Sequence, residues 1–130
     1  MPLVARLGEL IDPLRLDGLV AEDDGQAVGL ATVHETSERG LEVVTLHADP
    51  QRRGTGTALL ETAFHVALAS GHRRLWLVTT NDNLAALHFY LRRAMHVVTV
   101  HQGAADEDRA LNPAIPTVNP ENGIAIRDLV

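Results

Sequence analysis

The segment PQRRGTG, residues 50–56, concentrates the residue types that bind a phosphate group. It follows a run typical of a strand and precedes a run typical of a helix, so its glycines would enter the first helical turn. That turn carries backbone N–H groups without an internal partner and the positive end of the helix dipole. Gly54 and Gly56 lack a Cβ and allow an anion to approach these groups, while Arg52 and Arg53 add positive charge. We therefore expect a phosphate or pyrophosphate here; the alternative is a loop that needs glycine only to enter the helix.

Two familiar phosphate-binding motifs fit this segment poorly. A Walker A loop requires a lysine after its second glycine, and Thr57 stands there. The dinucleotide-binding fingerprint requires a third glycine at the position of Leu59, and only Asp82, at the end of the next strand, is in its favour. Gln51 and Thr55 offer side-chain hydrogen bonds, which suit a phosphate held by a different kind of loop.

The hydrophobic pattern predicts the elements around this segment. Residues 19–33 predict a hairpin that turns at Asp23-Asp24-Gly25, and residues 41–48 predict a largely buried strand. An apolar stripe at three- and four-residue steps predicts a helix from Thr55 that ends at Ser70-Gly71. The patterns then predict a strand at residues 73–80 and a helix at residues 84–95 that Asn83 caps. A strand at residues 96–101, a long loop at residues 102–123 and a short last strand at residues 124–130 are predicted to follow. This order predicts a single α/β domain, residues 1–130, on a mixed sheet with early antiparallel strands and later helical crossovers.

The composition argues against several functional classes. A net charge of −6 disfavours a protein that coats nucleic acid, and the absence of cysteine removes disulfides, thiolate metal sites and cysteine nucleophiles. The seven histidines lack the spacing of a metal-ligand pair, so we expect no metal site. No apolar stretch reaches the roughly 20 residues that cross a bilayer, and the first residues do not resemble a signal peptide. We therefore expect a cytoplasmic protein that binds neither nucleic acid nor a membrane.

A second segment, residues 83–95, indicates which kind of phosphate-binding loop residues 50–56 form. Its sequence NLAALHFYLRRAM resembles the pattern Asn-x-x-Ala-x-x-x-Tyr followed by Gly-Phe, with Asn83, Ala86 and Tyr90 in place and Ala94-Met95 instead of Gly-Phe. The loop itself resembles Gln/Arg-x-x-Gly-x-Gly/Ala, and the two motifs together resemble the GNAT N-acetyltransferase family. The resemblance extends from about residue 19 to residue 101, and the tail resembles the closing segment of some bacterial members.

The resemblance implies a mixed, mostly antiparallel sheet with flanking helices, and acetyl-CoA as the co-substrate. The family usually begins with a strand and one or two helices, whereas only about eighteen residues precede the hairpin in this chain. We therefore expect an N-terminal region that is naturally reduced, that a partner subunit such as a second copy in a homodimer completes, or whose start is truncated in this sequence. By resemblance, the coenzyme is bound through the strand that enters the loop, the loop itself and the second motif: Leu46, Ala48, Gln51, Arg52, Arg53, Gly54, Thr55, Gly56 and Asn83.

In this family the acceptor amine attacks the thioester of acetyl-CoA directly, in a ternary complex, and the resemblance implies the same reaction here. Tyr90 would protonate the leaving thiolate as a general acid; alternatively, it is a core aromatic residue. Glu42, near the start of the third strand, is the candidate base for the amine, directly or through water; alternatively, it is an ordinary exposed strand residue. Strand alternation places His47 on the face opposite to Glu42.

Two functional questions stay open from the sequence. The same fold could hold an acyl-CoA for sensing or assembly without turnover, although such a module has no need for a proton donor at Tyr90. The acceptor would be an amine of a small molecule or a peptide, and an acidic chain suits a basic one such as a polyamine, an aminoglycoside-like amine or a lysine side chain. Asp106, Glu107 and Asp108 could form a negatively charged rim in the predicted loop, or could simply face solvent.

Overall fold

The computed structural model describes residues 3–36, 40–49 and 54–130. In chain order its elements are β1 (Val4–Arg6), β2 (Glu9–Ile11), a 3-10 turn (Pro13–Arg15), β3 (Asp17–Asp23), β4 (Gln26–Thr36), β5 (Gly40–Ala48), α1 (Thr55–Ala69), β6 (Leu75–Trp76), α2 (Leu84–Leu91) and α3 (Ala104–Leu111). The chain forms two compact units. The sheet unit is Pro13–Leu77, and the terminal unit contains the described residues before Pro13 together with Val78–Val130.

The sheet unit is built on a four-stranded sheet in the order β3-β4-β5-β6. The first three strands are antiparallel, and β6 is parallel to β5 after the crossover through α1. Asp24 and Gly25, between β3 and β4, have φ angles of 50° and 79°. Two consecutive positive φ angles match the right-handed twist of the flanking strands, which is why Asp-Gly favours this turn. The predicted mixed and mostly antiparallel α/β fold is confirmed.

Helix α1 ends where the sequence predicts, at Ser70-Gly71. Gly71 has a φ of 80°, and its N–H donates to the carbonyl of Leu68 at 3.1 Å. The N–H of His72 donates to the carbonyl of Ala67 at 2.9 Å, which completes a Schellman cap. One face of α1 packs on the sheet, and the core between them consists of Val33, Leu41, Val43, Ala63 and Ala67.

The terminal unit contains the β1–β2 hairpin, which was not predicted. Leu7 and Gly8 form its turn with φ angles of 50° and 79°. Asp108 of α3 accepts hydrogen bonds from both of their N–H groups, at 3.1 and 2.9 Å. The predicted second helix is confirmed as α2, with Asn83 as its N-cap.

The prediction of a long loop at residues 102–123 was wrong, because α3 occupies its first half. Gly103, with a φ of 71°, precedes the helix, and Asp106 and Glu107 lie in the first turn. Acidic residues in that position complement the helix dipole. The three prolines that favoured a loop all follow the helix, where proline commonly marks its end.

The predicted strand at residues 96–101 was also wrong. Val97 and Val98 are 51% and 81% exposed, and within the described ranges only His101 of this segment forms a bridge, with Leu129. Leu129 also bridges Thr80, so the predicted last strand is reduced to isolated bridges. β-Branched residues favour a strand only where neighbours supply a ladder and packing. None of the helices in the described part of the chain is long and apolar enough to cross a membrane.

Candidate coenzyme and catalytic site

Among the described residues, strand β5 has an edge without a strand partner next to the start of α1, called the free edge below. β6 pairs with β5 only at Leu41 and Glu42, and β5 then continues to Ala48 without a strand partner on that side among the described residues. The N–H of Asp49 donates to β4, at the carbonyl of Val28, at 2.8 Å. Because backbone groups of successive strand residues point to alternate sides, those of Leu46 and Ala48 point to the free edge. The structure therefore leaves the two predicted backbone sites on β5 available to an extended ligand that carries amide groups.

The first turn of α1 is capped by a residue without a side chain. Gly54, with a φ of 78°, is the N-cap and has no side chain with which to cap the helix. The N–H groups of Thr55 and Gly56 belong to this turn, which carries the positive end of the dipole of a 15-residue helix. An anion site at these N–H groups stays a prediction. The predicted contacts of Gln51, Arg52 and Arg53 lie outside the described residues.

Gly29 of β4, which was not predicted, brings these two features together. It pairs with Ala48 at the end of β5, and a Cβ at Gly29 would lie 2.6 Å from Cγ2 of Thr55 and 3.1 Å from the carbonyl oxygen of His47. Only glycine allows α1 to begin this close to the sheet. The signal in the sequence was a glycine in the middle of a predicted strand, which often marks a close approach.

Glu42 is buried, so its interpretation as an ordinary exposed residue was wrong. Its side chain is 1% exposed, and its Oε1 lies 3.7 Å from Nδ1 of His34, the residue opposite on β4. Leu41 and Val43 point into the core under α1, so Glu42 points to the other face of the sheet. A carboxylate this buried reaches a bulky acceptor only through an intermediate group.

A β-bulge overturns the predicted orientation of His47. Thr32 pairs with Thr45 and the next residue of β4 pairs with Val43, so Val44 has no partner opposite. The Thr32 and Thr45 hydroxyls lie 2.7 Å apart on the face of β5 that also carries Glu42. His47, two residues after Thr45, lies on that same face, because the extra residue shifts the alternation.

The second motif lies in the terminal unit, on α2. The Oδ1 of Asn83 accepts a hydrogen bond from the N–H of Ala86 at 3.2 Å, as an N-cap should. Tyr90 packs edge-to-face on Phe89, with ring centroids 5.2 Å apart. Burial raises the pKa of the Tyr90 phenol above its ordinary value, so the hydroxyl keeps its proton at neutral pH. It therefore meets the protonation requirement of a general acid.

The Acetyltransferase (GNAT) family model matches residues 5–95, which include both motifs, the free edge of β5 and the start of α1. The chain belongs to the GNAT acetyltransferase family. An uncharacterised Bacillus subtilis protein, YdhI, is 37% identical over 114 residues, 87% of this chain and 70% of its own length. Nourseothricin acetyltransferase is 32% identical and has a TM-score of 0.59, over 65% of this chain and 51% of its own. A GNAT acetyltransferase from Elizabethkingia anophelis with acetyl-CoA bound shares the fold, with a TM-score of 0.75 at 17% identity, over 89% of this chain and 73% of its own.

This GNAT chain departs from the family pattern after α2, and a left-handed residue follows the helix there. Ala94, where the motif has glycine, has a φ of 63°. The N–H groups of Arg93 and Met95 both donate to the carbonyl of Tyr90, at 3.0 and 3.3 Å. The left-handed conformation that glycine adopts without cost is therefore imposed on alanine.

The predicted acidic rim of this GNAT chain is not formed as expected. Asp108 is 1% exposed and is bound to the β1–β2 turn, and Asp106 pairs with Arg109 at 2.6 Å. Glu107 is the one residue of the three whose side chain forms no hydrogen bond or ion pair with another described residue. Within the same residues, no three His, Asp or Glu side chains gather into a group that could hold a metal ion.

Proposed function

We propose that this GNAT protein transfers the acetyl group of acetyl-CoA directly to an amine, in a ternary complex. The observation that supports the proposal is the free edge of β5, which leads to a helix start with a glycine N-cap. Leu46 and Ala48 would bind the amide groups of the pantetheine arm and the acetyl carbonyl through their backbone, and the first turn of α1 would bind the pyrophosphate. Gln51, Arg52, Arg53 and Asn83 are proposed to complete the coenzyme contacts.

The proposed chemistry consists of one bond exchange and three proton transfers. The nitrogen of the neutral amine attacks the carbonyl carbon of the thioester, so that the C–N bond forms and the C–S bond breaks. The coenzyme leaves as a thiolate and takes a proton from Tyr90, and the second proton that the acceptor nitrogen loses as the amide forms restores the phenol. Glu42 is the carboxylate proposed to draw the proton from the acceptor ammonium, through an intermediate group because of its burial. Backbone N–H groups stabilise the oxyanion, and alignment of the two reactants supplies much of the rate.

The acceptor is proposed to be a basic amine. The chain carries a net charge of −6, and its 32% identical structural relative is named for nourseothricin acetylation. Nourseothricin is therefore the first acceptor to test, followed by spermidine and a lysine-containing peptide. A protein that held acyl-CoA only for sensing would bind the coenzyme and acetylate none of these amines.

The test measures release of the CoA thiol from acetyl-CoA in the presence of each amine. We expect thiol release that depends on the amine, with mass spectrometry showing one acetyl group on the product. Tyr90→Phe should lower kcat by roughly 10²–10⁴-fold, the usual contribution of a general acid, with KM for acetyl-CoA unchanged. Binding of acetyl-CoA without transfer to any of the three amines would favour the sensing module instead.

A further inference from the structure

His34 and Glu42 form a carboxylate–imidazole pair on the sheet face opposite α1. The Nδ1 of His34 is buried, lies 3.7 Å from Oε1 of Glu42, and hydrogen-bonds to no described residue. The His34 side chain as a whole is 38% exposed, whereas that of Glu42 is 1% exposed. The buried edge of the ring therefore faces the carboxylate, and the exposed area lies on the rest of the ring.

We infer that His34 is the residue that takes the proton from the acceptor ammonium, through its Nε2, and that Glu42 positions it. The inference rests on the proposed acetyl transfer and assigns its base. An aliphatic amine resembles lysine, whose pKa is about 10.4, and arrives as an ammonium at neutral pH, so it must lose a proton before attack. Glu42 has almost no exposed surface with which to touch it. The imidazole of His34 bridges the two, because one edge meets the carboxylate and the other meets solvent.

The carboxylate has two physical effects on the ring. A proton on Nδ1 is favoured by the negative charge beside it, which leaves the lone pair of Nε2 available. When Nε2 accepts the proton of the ammonium, the Glu42 carboxylate, 3.7 Å from the opposite ring nitrogen, holds the ring in place. Two protons leave the acceptor nitrogen in the whole reaction: one passes through His34 to solvent, and the other restores the proton that Tyr90 gives to the thiolate.

The sheet face around the pair is polar and carries one other candidate proton acceptor. The hydroxyls of Thr32 and Thr45 hydrogen-bond to each other next to the pair. His47 follows on the same face of β5. His47 is exposed and is the alternative proton acceptor. The sheet unit also contains a matched control, His72, whose Nε2 lies 3.2 Å from Oε1 of Glu35, a carboxylate that is 67% exposed.

The experiment compares His34→Gln, Glu42→Gln, His47→Gln and His72→Gln with the intact protein. Acetyl-CoA binding is measured by titration calorimetry, and acetylation is measured with nourseothricin, spermidine and hydroxylamine, the last being largely unprotonated at neutral pH. We expect His34→Gln to lower kcat for nourseothricin or spermidine by roughly 10²–10⁴-fold, with acetyl-CoA affinity unchanged and a much smaller loss for hydroxylamine. Glu42→Gln should show the same selectivity with a smaller loss, and His72→Gln should match the intact protein.

A second variant keeps the test independent of folding defects. His34→Ala lacks the ring, and added imidazole should restore a measurable part of its activity, whereas a structural role gives no such rescue. Full activity of His34→Gln in a protein that acetylates amines would overturn the assignment and leave the acetyltransferase proposal standing. Loss of activity in His47→Gln alone would move the base to that residue. An intact protein that transfers to none of the amines would overturn both proposals.

Discussion

Gly29→Ala is the substitution that most directly links the fold to the proposed coenzyme site. The added Cβ would meet Cγ2 of Thr55 at 2.6 Å, Cδ1 of Leu59 at 3.0 Å and the carbonyl oxygen of His47 at 3.1 Å. The contact with Cγ2 of Thr55 requires this side chain or the start of α1 to shift, and the carbonyl of His47, which belongs to the backbone of β5, must give by a few tenths of an ångström. Overpacking of this kind costs about 1–3 kcal/mol of unfolding free energy.

The displacement should also weaken coenzyme binding, because the first turn of α1 and the free edge of β5 would no longer be in register. A loss of about 1.4 kcal/mol in binding corresponds to a tenfold rise in Kd. We therefore expect Gly29→Ala to lower the denaturation midpoint in urea and to raise the Kd for acetyl-CoA by about tenfold.

Gly18→Ala is the matched control for this experiment. Gly18 lies on the neighbouring strand β3, and a Cβ there would meet Cδ1 of Leu30 at 3.6 Å, an ordinary contact. This variant should keep the affinity of the intact protein and its stability, or gain about 0.5–1 kcal/mol from the lower entropy of its unfolded chain. Equal stability and equal affinity in the Gly29 and Gly18 variants would refute the close approach as the determinant of the site.

Three further predictions concern the terminal unit. Ala94→Gly should raise the unfolding free energy by about 1 kcal/mol in a chemical denaturation series, because φ at this position is 63°; a loss of stability would contradict the strain. Asp108→Asn should cost about 2 kcal/mol in the same assay, because an amide cannot replace a carboxylate that accepts from two backbone N–H groups; no change would mean that these bonds contribute nothing. Hydrogen bonds from the N–H of Gly103 and from Arg127 hold the pKa of Asp128 below its usual value, so its contribution is present above the unfolded-state pKa and is lost as pH falls through the folded-state pKa. Asp128→Asn should therefore be less stable than the intact protein at neutral pH and should converge with it in acid, and a difference that persists at low pH would contradict this linkage.

The elements that the sequence predicts well are those with local signals. Asp24-Gly25 specifies a two-residue turn, and Ser70-Gly71 ends α1 with a cap whose hydrogen bonds lie within one turn. Asn83 caps α2 through the N–H of Ala86, three residues away. In each case the residues that decide the structure are neighbours in the chain.

The features that the sequence does not predict depend on partners far along the chain. His47 changes face because one extra residue, Val44, is inserted in β5, and nothing near it in the sequence marks that bulge. Asp108 is buried because it binds a turn about 100 residues earlier, although its acidic neighbours suggested a solvated rim. Val98 lies in a run typical of a strand, but the ladder it would need does not form among the described residues.

The candidate site shows the same division. The glycines that begin α1 and the backbone positions on β5 follow from motif and order. The roles of Gly29 and His34 do not, because one depends on the distance between a strand and a helix and the other on a pair formed across two strands. Glu42 was identified as a candidate base from its residue type, but a glutamate is almost never fully buried, so its burial was not expected even in a strand predicted to be largely buried.

Titration of the protein with acetyl-CoA by calorimetry, for the intact chain and for Gly56→Glu, tests the central claim most directly. The substitution places a carboxylate and a Cβ in the first turn of α1, where the pyrophosphate is proposed to bind. Ala69→Glu adds the same charge at an exposed position at the other end of the same helix and is the control. The account predicts saturable binding that is retained in Ala69→Glu and lost in Gly56→Glu. Binding that is equal in all three proteins, or absent from the intact one, would contradict it.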